Sequence, residues 1–246
     1  MSHFVRYNPP MPEPTPTAVT LDAGNTLIYC DPSPAEIYSK HIGRHGPAVA
    51  PEVVEPAFRG AWAEMHRRTA IGADRYSLSD GGERAWWGAF VREVLARLDH
   101  PAPWRPLLDD LWIAFAEPEV WQVYPDTRPA LTALKNRGVP LGLISNWDRR
   151  LPDILDGLDL TGFFDVITVS SIAGMEKPAP EIFHSTVDQM GLAPEQVLHV
   201  GDSPRDDYHG ASAAGLTPRL IDRLGLFTGN HYQRVESLTK LLDIVR

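Results

Sequence analysis

Polar residues with chemistry to offer stand where the apolar runs of this chain stop. Asp22 follows Ala18-Val19-Thr20-Leu21, and Gly24 and Asn25 complete the turn behind it. Ser145-Asn146 closes Leu141-Gly142-Leu143-Ile144, Lys177-Pro178 stands ahead of a helical stretch, and Asp202 and Asp207 come after Val197-Leu198-His199-Val200-Gly201. A short β-branched run ended by an acid and an Ala-Gly-Asn turn reads as a buried strand with a carboxylate at its carboxyl end. Open α/β sheets bind ligands in the crevice outside those ends, so an acid there faces substrate and not bulk water. Singly, these pieces are ordinary turn, cap and surface chemistry. In this order they converge on one lip, where carboxylates, a hydroxyl and an ammonium surround whatever binds.

The elements that must hold them alternate between strand and helix from Tyr124 onward, the pattern of a parallel sheet with helices on its faces. Strands are expected at Pro140–Ser145, Phe164–Ser170, Val197–Val200 and Thr217–Ile221, the last an edge strand because Pro218 is tolerated there. Helices are expected at Arg128–Arg137, Arg149–Leu158, Pro180–Met190 and Asp207–Ala214, with an amphipathic helix over Val235–Val245 closing the chain. Between the first strand and residue 122 the period is helical, with helices over Ala35–Ile42, Pro51–Met65, Glu83–Leu98 and Pro106–Phe115 and a polar link over 66–82. The expected organisation is a core over 17–31 and 123–246, an all-helical insertion over 32–122, and a flexible leader over 1–16, which holds five prolines.

Composition narrows the partners. With 246 residues, 43% of them hydrophobic, the chain can bury a sizeable core, and a net charge of -9 argues against nucleic acid as the partner. Cys30 is the only cysteine, so no disulfide forms within the chain. No apolar run approaches the ~20 residues that span a bilayer, and the N-terminus lacks a signal-peptide core, so a cytoplasmic placement without membrane contact is expected. A small-molecule partner follows; no pattern specifies an oligomeric state.

Asp22 with Thr26-Leu27 downstream, then Ser145-Asn146, Lys177-Pro178 and Gly201-Asp202-Ser203 with the later Asp207, resembles the haloacid dehalogenase superfamily of aspartate-nucleophile hydrolases over residues 17 to about 223. The resemblance implies a Rossmann-like three-layer α/β core with a helical cap. It implies that Asp22 attacks phosphorus and forms an aspartyl-phosphate, which splits one difficult displacement into two easier ones. Carboxylate and phosphate repel, so a hard cation is implied too: Mg²⁺, held by Asp22, the Gly24 carbonyl and Asp202, with Asp207 binding through water or orienting Asp202. Lys177 would hold Asp22 and offset charge on the transferred group. Ser145 and the amides near Asn146, Gly24 and Asn25 would donate to its oxygens.

One position departs from the phosphatase pattern. Two residues after the nucleophile those enzymes carry a second Asp that protonates the leaving oxygen, and this chain has Gly24. General acid catalysis of that kind is worth roughly 10² to 10⁴ in rate, and Asn25 cannot supply it. A phosphatase of this sequence would be slow on alkyl phosphates, use leaving groups that need little protonation, or borrow an acid from the cap. The 2-haloacid dehalogenases also lack that Asp, but they are metal-independent and typically lack the Gly-Asp-Ser form seen at Asp202. Phosphonoacetaldehyde hydrolases use a cap lysine, and Lys40 lies too near the nucleophile for their pattern. The closest resemblance is to the branch called haloacid dehalogenase-like hydrolase domain-containing proteins, through Glu36-Ile37-Tyr38, Trp86-Trp87 and Asp148-Arg149-Arg150. Membership of that branch also leaves open a phosphate- or metal-binding regulatory protein without turnover. In the cap, Arg44, His45, Arg59, His66, Arg67, Arg68 and Arg75 read mainly as solvated helix faces, and Trp62, Trp86, Trp87 and Trp112 as cap core.

Overall fold

The computed structural model describes residues 15–68, 74–77, 81–229 and 231–245; the leader expected over 1–16 lies outside them except for its last two residues. The chain opens with β1 (Ala18–Leu21) and β2 (Ile28–Cys30). It then runs through α1 (Pro34–His45), α2 (Pro51–Arg68), α3 (Gly82–Arg97) and α4 (Trp104–Ala114) before β3 (Trp121–Val123). Alternation follows: α5 (Thr127–Asn136), β4 (Leu141–Ser145), α6 (Leu151–Gly157), β5 (Val166–Val169), α7 (Ser170–Ala173), α8 (Pro180–Gln189) and β6 (Val197–Gly201). A π-helical turn over Pro204–His209 runs into α9 (Gly210–Ala213), and β7 (Thr217–Ile221), β8 (Arg234–Val235) and a 3-10 stretch over Leu238–Asp243 end the chain.

Six strands form one parallel sheet in the order β5-β4-β1-β6-β7-β8. The connections run outward from β1 to opposite sides, so the switch point of this Rossmann-like α/β core lies at the carboxyl end of β1, where Asp22 stands. Strand alternation sorts the side chains. Val19, Leu21, Leu141, Leu143, Leu198 and Val200 face one layer with Leu131 and Leu134 of α5 and Ile154 and Leu155 of α6. Ala18, Ile144 and Val197 face the other, with Ile182, Phe183 and Val187 of α8. Helices α1 to α4 share a separate core built on Ile37, Ile42, Val54, Phe90, Val94 and Leu107, and α1 starts at a capping box in which Ser33 Oγ accepts from the Glu36 amide while Glu36 Oε2 accepts from the Ser33 amide. Among the described residues no helix is long and apolar enough to cross a membrane.

Three local expectations give way. The stretch expected to be helical throughout holds β2 and β3, which pair antiparallel with Ile28 opposite Val123 and Cys30 opposite Trp121. Three-residue strands are too short for alternation to show. Strand β7 is not an edge, because β8 lies beside it. The amides of Leu220 and Asp222 donate to Gln233 and Val235. Pro218 would point the same way, but β8 begins beyond it, so its missing N–H costs no ladder bond. The closing helix is replaced by β8 and the 3-10 stretch. Ser237 interrupts it, since its hydroxyl and the Leu238 amide both donate to Asp126 Oδ2 ahead of α5 (2.7 and 2.8 Å), which fixes the chain where a helix would have continued.

Candidate active site

Sheet and turns bring the dispersed residues together. Ser145 Oγ, at the end of β4, donates to Asp22 Oδ1 (2.9 Å), and Lys177 Nζ donates to the same oxygen (2.8 Å), to Asp207 Oδ1 (2.6 Å) and to the Ile144 carbonyl (2.9 Å). An ammonium has three protons, so Lys177 has none left for a ligand. Both bonds to Asp22 fall on Oδ1, and Oδ2 receives none among the described residues. Asn146 clamps the lysine's loop: its amide nitrogen donates to the Lys177 carbonyl (2.8 Å) and its oxygen accepts from the Lys177 amide (2.7 Å). Asn25 has φ 54°, a left-handed conformation that Asn tolerates, and its side chain donates to Asp202. Gly24 lies against Trp147, whose Cζ3 would be 3.3 Å from a Cβ there.

Beneath this group runs a buried relay that the sequence did not announce as chemistry. His199, in the middle of β6, hydrogen-bonds Asp207 Oδ1 through Nε2 (3.2 Å) and Thr20 Oγ1 through Nδ1 (2.9 Å). Burial holds His199 below its usual range, so it is neutral. With a carboxylate at Nε2, its proton sits there and the Thr20 hydroxyl donates to Nδ1. The Ser203 amide takes Asp207 Oδ2 (2.9 Å), which leaves Asp207 fully occupied as the anchor of Lys177. Gly201 makes room for it: a Cβ there would stand 2.1 Å from Asp207 Cγ. The only trace in sequence was one polar residue inside an apolar strand.

An oxygen from each of Asp22, Asp202 and Asp207 lies within 4.8 Å of the others. Burial pushes Asp202 up to about 8, with the charges of Asp22 and Asp207 adding to it, and burial raises Asp22 against the pull of Lys177. Burial also opposes ionisation of Asp207, but Lys177 and the His199 bond outweigh it and hold this carboxyl below its usual range. Three acids thus share one ammonium, an excess of negative charge made of hard oxygen donors, which suits a hard divalent cation.

Above the acids lies a cavity of about 880 Å³ whose wall joins Asp22, Lys177 and Asp202 to rings of the insertion. The expectation that all four cap tryptophans are core holds for Trp86, which is buried, whereas Trp62, Trp87 and Trp112 line the cavity. Insertion and core are tied by polar bonds. Arg75 donates through its amide and Nε to Glu176 Oε2 (3.1 and 2.7 Å), with both side chains buried, and Trp87 Nε1 donates to Asp148 Oδ2 (2.8 Å). Of the basic residues expected on solvated faces, Arg59 pairs with Glu55, Arg67 with Glu64, and Arg44 and His45 with Asp110, while Arg75 is buried instead. The Arg68 side chain and residues 69–73 and 78–80 of the link over 66–82 lie outside the described residues.

A family model described as haloacid dehalogenase-like hydrolase matches residues 16–215. The chain belongs to the haloacid dehalogenase-like hydrolases. Within that family it is similar to haloacid dehalogenase-like hydrolase domain-containing protein 3 of Mus musculus, 35% identical over 206 residues that cover 82% of this chain and 80% of the relative. It is also similar to a phosphoserine phosphatase of Thermus thermophilus, 33% identical over 183 residues covering 69% and 72%. Among solved structures, the L-2-haloacid dehalogenase RSc1362 shares the fold at a TM-score of 0.67 and 22% identity, over 94% of this chain and 99% of that one. Haloacid dehalogenase-like hydrolases of one fold thus bear the names of a phosphatase and a dehalogenase, and the side chains must decide between them.

Proposed function

We propose that this hydrolase is a Mg²⁺-dependent phosphatase in which Asp22 is the nucleophile, the core spans 17–31 and 123–246, and the insertion over 32–122 acts as a cap. The observation that carries the reading is the arrangement of acids: Asp22 pinned through Oδ1 by Ser145 and Lys177, with Asp202 beside it in an anionic cluster that calls for a cation. Displacing halide from carbon leaves Asp202 without the metal-binding task that phosphate gives it, since the carbon under attack carries no anionic oxygens for a metal to screen. Mg²⁺ would be held by Asp22, Asp202 and the Gly24 carbonyl and would screen phosphate charge from the attacking carboxylate.

The residues divide the work. Asp22 keeps Oδ2 for phosphorus; the bond from phosphorus to the leaving oxygen breaks, and that oxygen departs with its electron pair. Water then attacks the aspartyl-phosphate at phosphorus, regenerating Asp22 and releasing inorganic phosphate. Lys177 contributes a fixed positive charge that keeps Asp22 and Asp207 ionised, and Asp207, braced by His199 and Ser203, fixes that charge in place. Asn146 holds the lysine's loop, and the amides after β4 and at Gly24 would donate to phosphate oxygens; the Asn25 amide, expected to do the same, is instead taken by the Ile28 carbonyl (2.7 Å).

Phosphate release from esters and acyl phosphates, and halide release from 2-haloacids, with and without chelator, tests the reading. Turnover of phosphates should vanish with EDTA and in Asp22→Asn, with thermal unfolding of the variant preserved. Chelator-resistant halide release would instead establish the dehalogenase.

A further inference from the structure

Resting on the phosphatase reading, we propose that the substrate is an aryl phosphate, with its ring in the aromatic chamber of the cap and its phenolic oxygen leaving without being protonated. Two independent features point there. The first is that, among the described residues, no free proton donor stands beside Asp22. At Gly24 the nearest feature is the Trp147 ring, and the other polar groups are engaged: Ser145 donates to Asp22, the three protons of Lys177 are committed, and both oxygens of Asp207 are bonded. Asp202 accepts from Asn25 and would hold the cation as a carboxylate without a proton to give. On the cap side His66 donates Nδ1–H to the Trp62 carbonyl (3.2 Å), and burial, with Arg75 nearby, pushes it down to about 4, so it presents a lone pair and no acidic proton at neutral pH. Beyond Asp22, Asp202 and Asp207, the cavity wall formed by the described residues carries one further carboxyl, Asp206, 3.9 Å from Arg205. A phenol ionises near pKa 10, as the ordinary value of about 10 for tyrosine shows, so a phenolate leaves far more readily than an alkoxide.

The second feature is the chamber. Tyr38, Phe58, Trp62, Trp87, Trp112 and Phe115 line it, and its volume of about 880 Å³ exceeds what a phosphate with a few carbons would fill. Pockets of about 300–1,000 Å³ accommodate drug-sized ligands, and ring faces and edges offer a bound ring offset-stacked and T-shaped contacts. A small acyl phosphate such as acetyl phosphate also has a leaving group that needs no protonation but gives the rings nothing to grip.

The test is phosphate release by the Mg²⁺-loaded protein from substituted phenyl phosphates of graded leaving-group pKa, from benzyl phosphate, and from acetyl phosphate. Benzyl phosphate has the same ring one carbon away from an alkyl leaving oxygen. Expected are a steep fall of kcat/KM as leaving-group pKa rises and benzyl phosphate slower than phenyl phosphate by about the 10² to 10⁴ that an acid would supply. Gly24→Asp should narrow that gap, and Asp206→Asn should leave it unchanged. Trp62→Ala should raise KM for phenyl phosphate several-fold with acetyl phosphate kinetics unaltered, and Trp62→Phe should restore it. Equal rates on benzyl and phenyl phosphate, a wider gap in Asp206→Asn, or preference for acetyl over every aryl phosphate would overturn the aryl assignment while leaving the phosphatase standing. If no substrate gives phosphate release dependent on Asp22, the phosphatase reading itself fails.

Discussion

The floor and the roof of the cavity are built on opposite terms. On the floor, at the carboxyl ends of β1, β4 and β6, nearly every polar atom has an assigned partner: Lys177 bridges Asp22 and Asp207, and His199 braces Asp207 from below. In the roof, rings meet rings, as where Trp62 lies 6.2 Å from Trp87 and 6.5 Å from Phe58, and charges pair within the helices, as Arg59 does with Glu55. Directional bonds fix a few atoms closely, while aromatic packing offers area and tolerates varied shapes. Under the phosphatase proposal, the contrast gives reaction chemistry to the sheet and choice of substrate to the insertion.

The harshest challenge to this division is Lys177→Met. It leaves a cluster of buried carboxylates without their ammonium, and removing one partner from a buried ion pair costs about 3–5 kcal/mol. Denaturant unfolding with chelator present should show that loss along with loss of turnover; a stability change within about 0.5 kcal/mol, the range of ordinary surface substitutions, would mean that the floor is not held by charge. A smaller effect probes the seam between the two regions. Arg75 and Glu176 pair across it, and Glu176 precedes Lys177 in the chain. A double-mutant cycle with Arg75→Met and Glu176→Gln should give a coupling energy of about 0.5–3 kcal/mol, and additivity would show the roof to be unattached there.

The mildest effect belongs to the roof alone. Burial, then the charge of Arg75, depresses His66 to about 4 from an ordinary 6.5. A base whose pKa is lowered on folding contributes stability that is fully present above its unfolded pKa and is lost as pH falls through the folded value, here between 6.5 and about 4. His66→Gln should flatten the stability profile in that window, and an NMR titration placing His66 near 6.5 would refute the assignment.

How far the sequence reached follows the same division. Asp22, Ser145, Lys177, Asp202 and Asp207 were legible because each follows or precedes an apolar run, and parallel sheets gather strand ends on one lip. The helices of the insertion were legible too, since each carries an apolar stripe. The pairing of β2 with β3 was not, because three residues carry no period and their partner lies on the far side of four helices. Nor was the seam, where Arg75 meets a glutamate 101 positions away. The cavity-facing tryptophans escaped for a subtler reason: a ring on a helix's apolar stripe has the same spacing whether it meets another helix or an open chamber, and only the packing of α2, α3 and α4 distinguishes them.

The short β2–β3 ribbon brings the outgoing and returning strands side by side at the root of the insertion, extended by the Asp31 amide donating to the Val120 carbonyl (2.9 Å). The backbone leaves and returns through that one stem, and side-chain bonds such as Arg75–Glu176 and Trp87–Asp148 tie the block to the core elsewhere. Such a stem makes the helical block a graftable module: residues could be lengthened, shortened or exchanged beyond it while the register of the parallel strands beneath stays as it was.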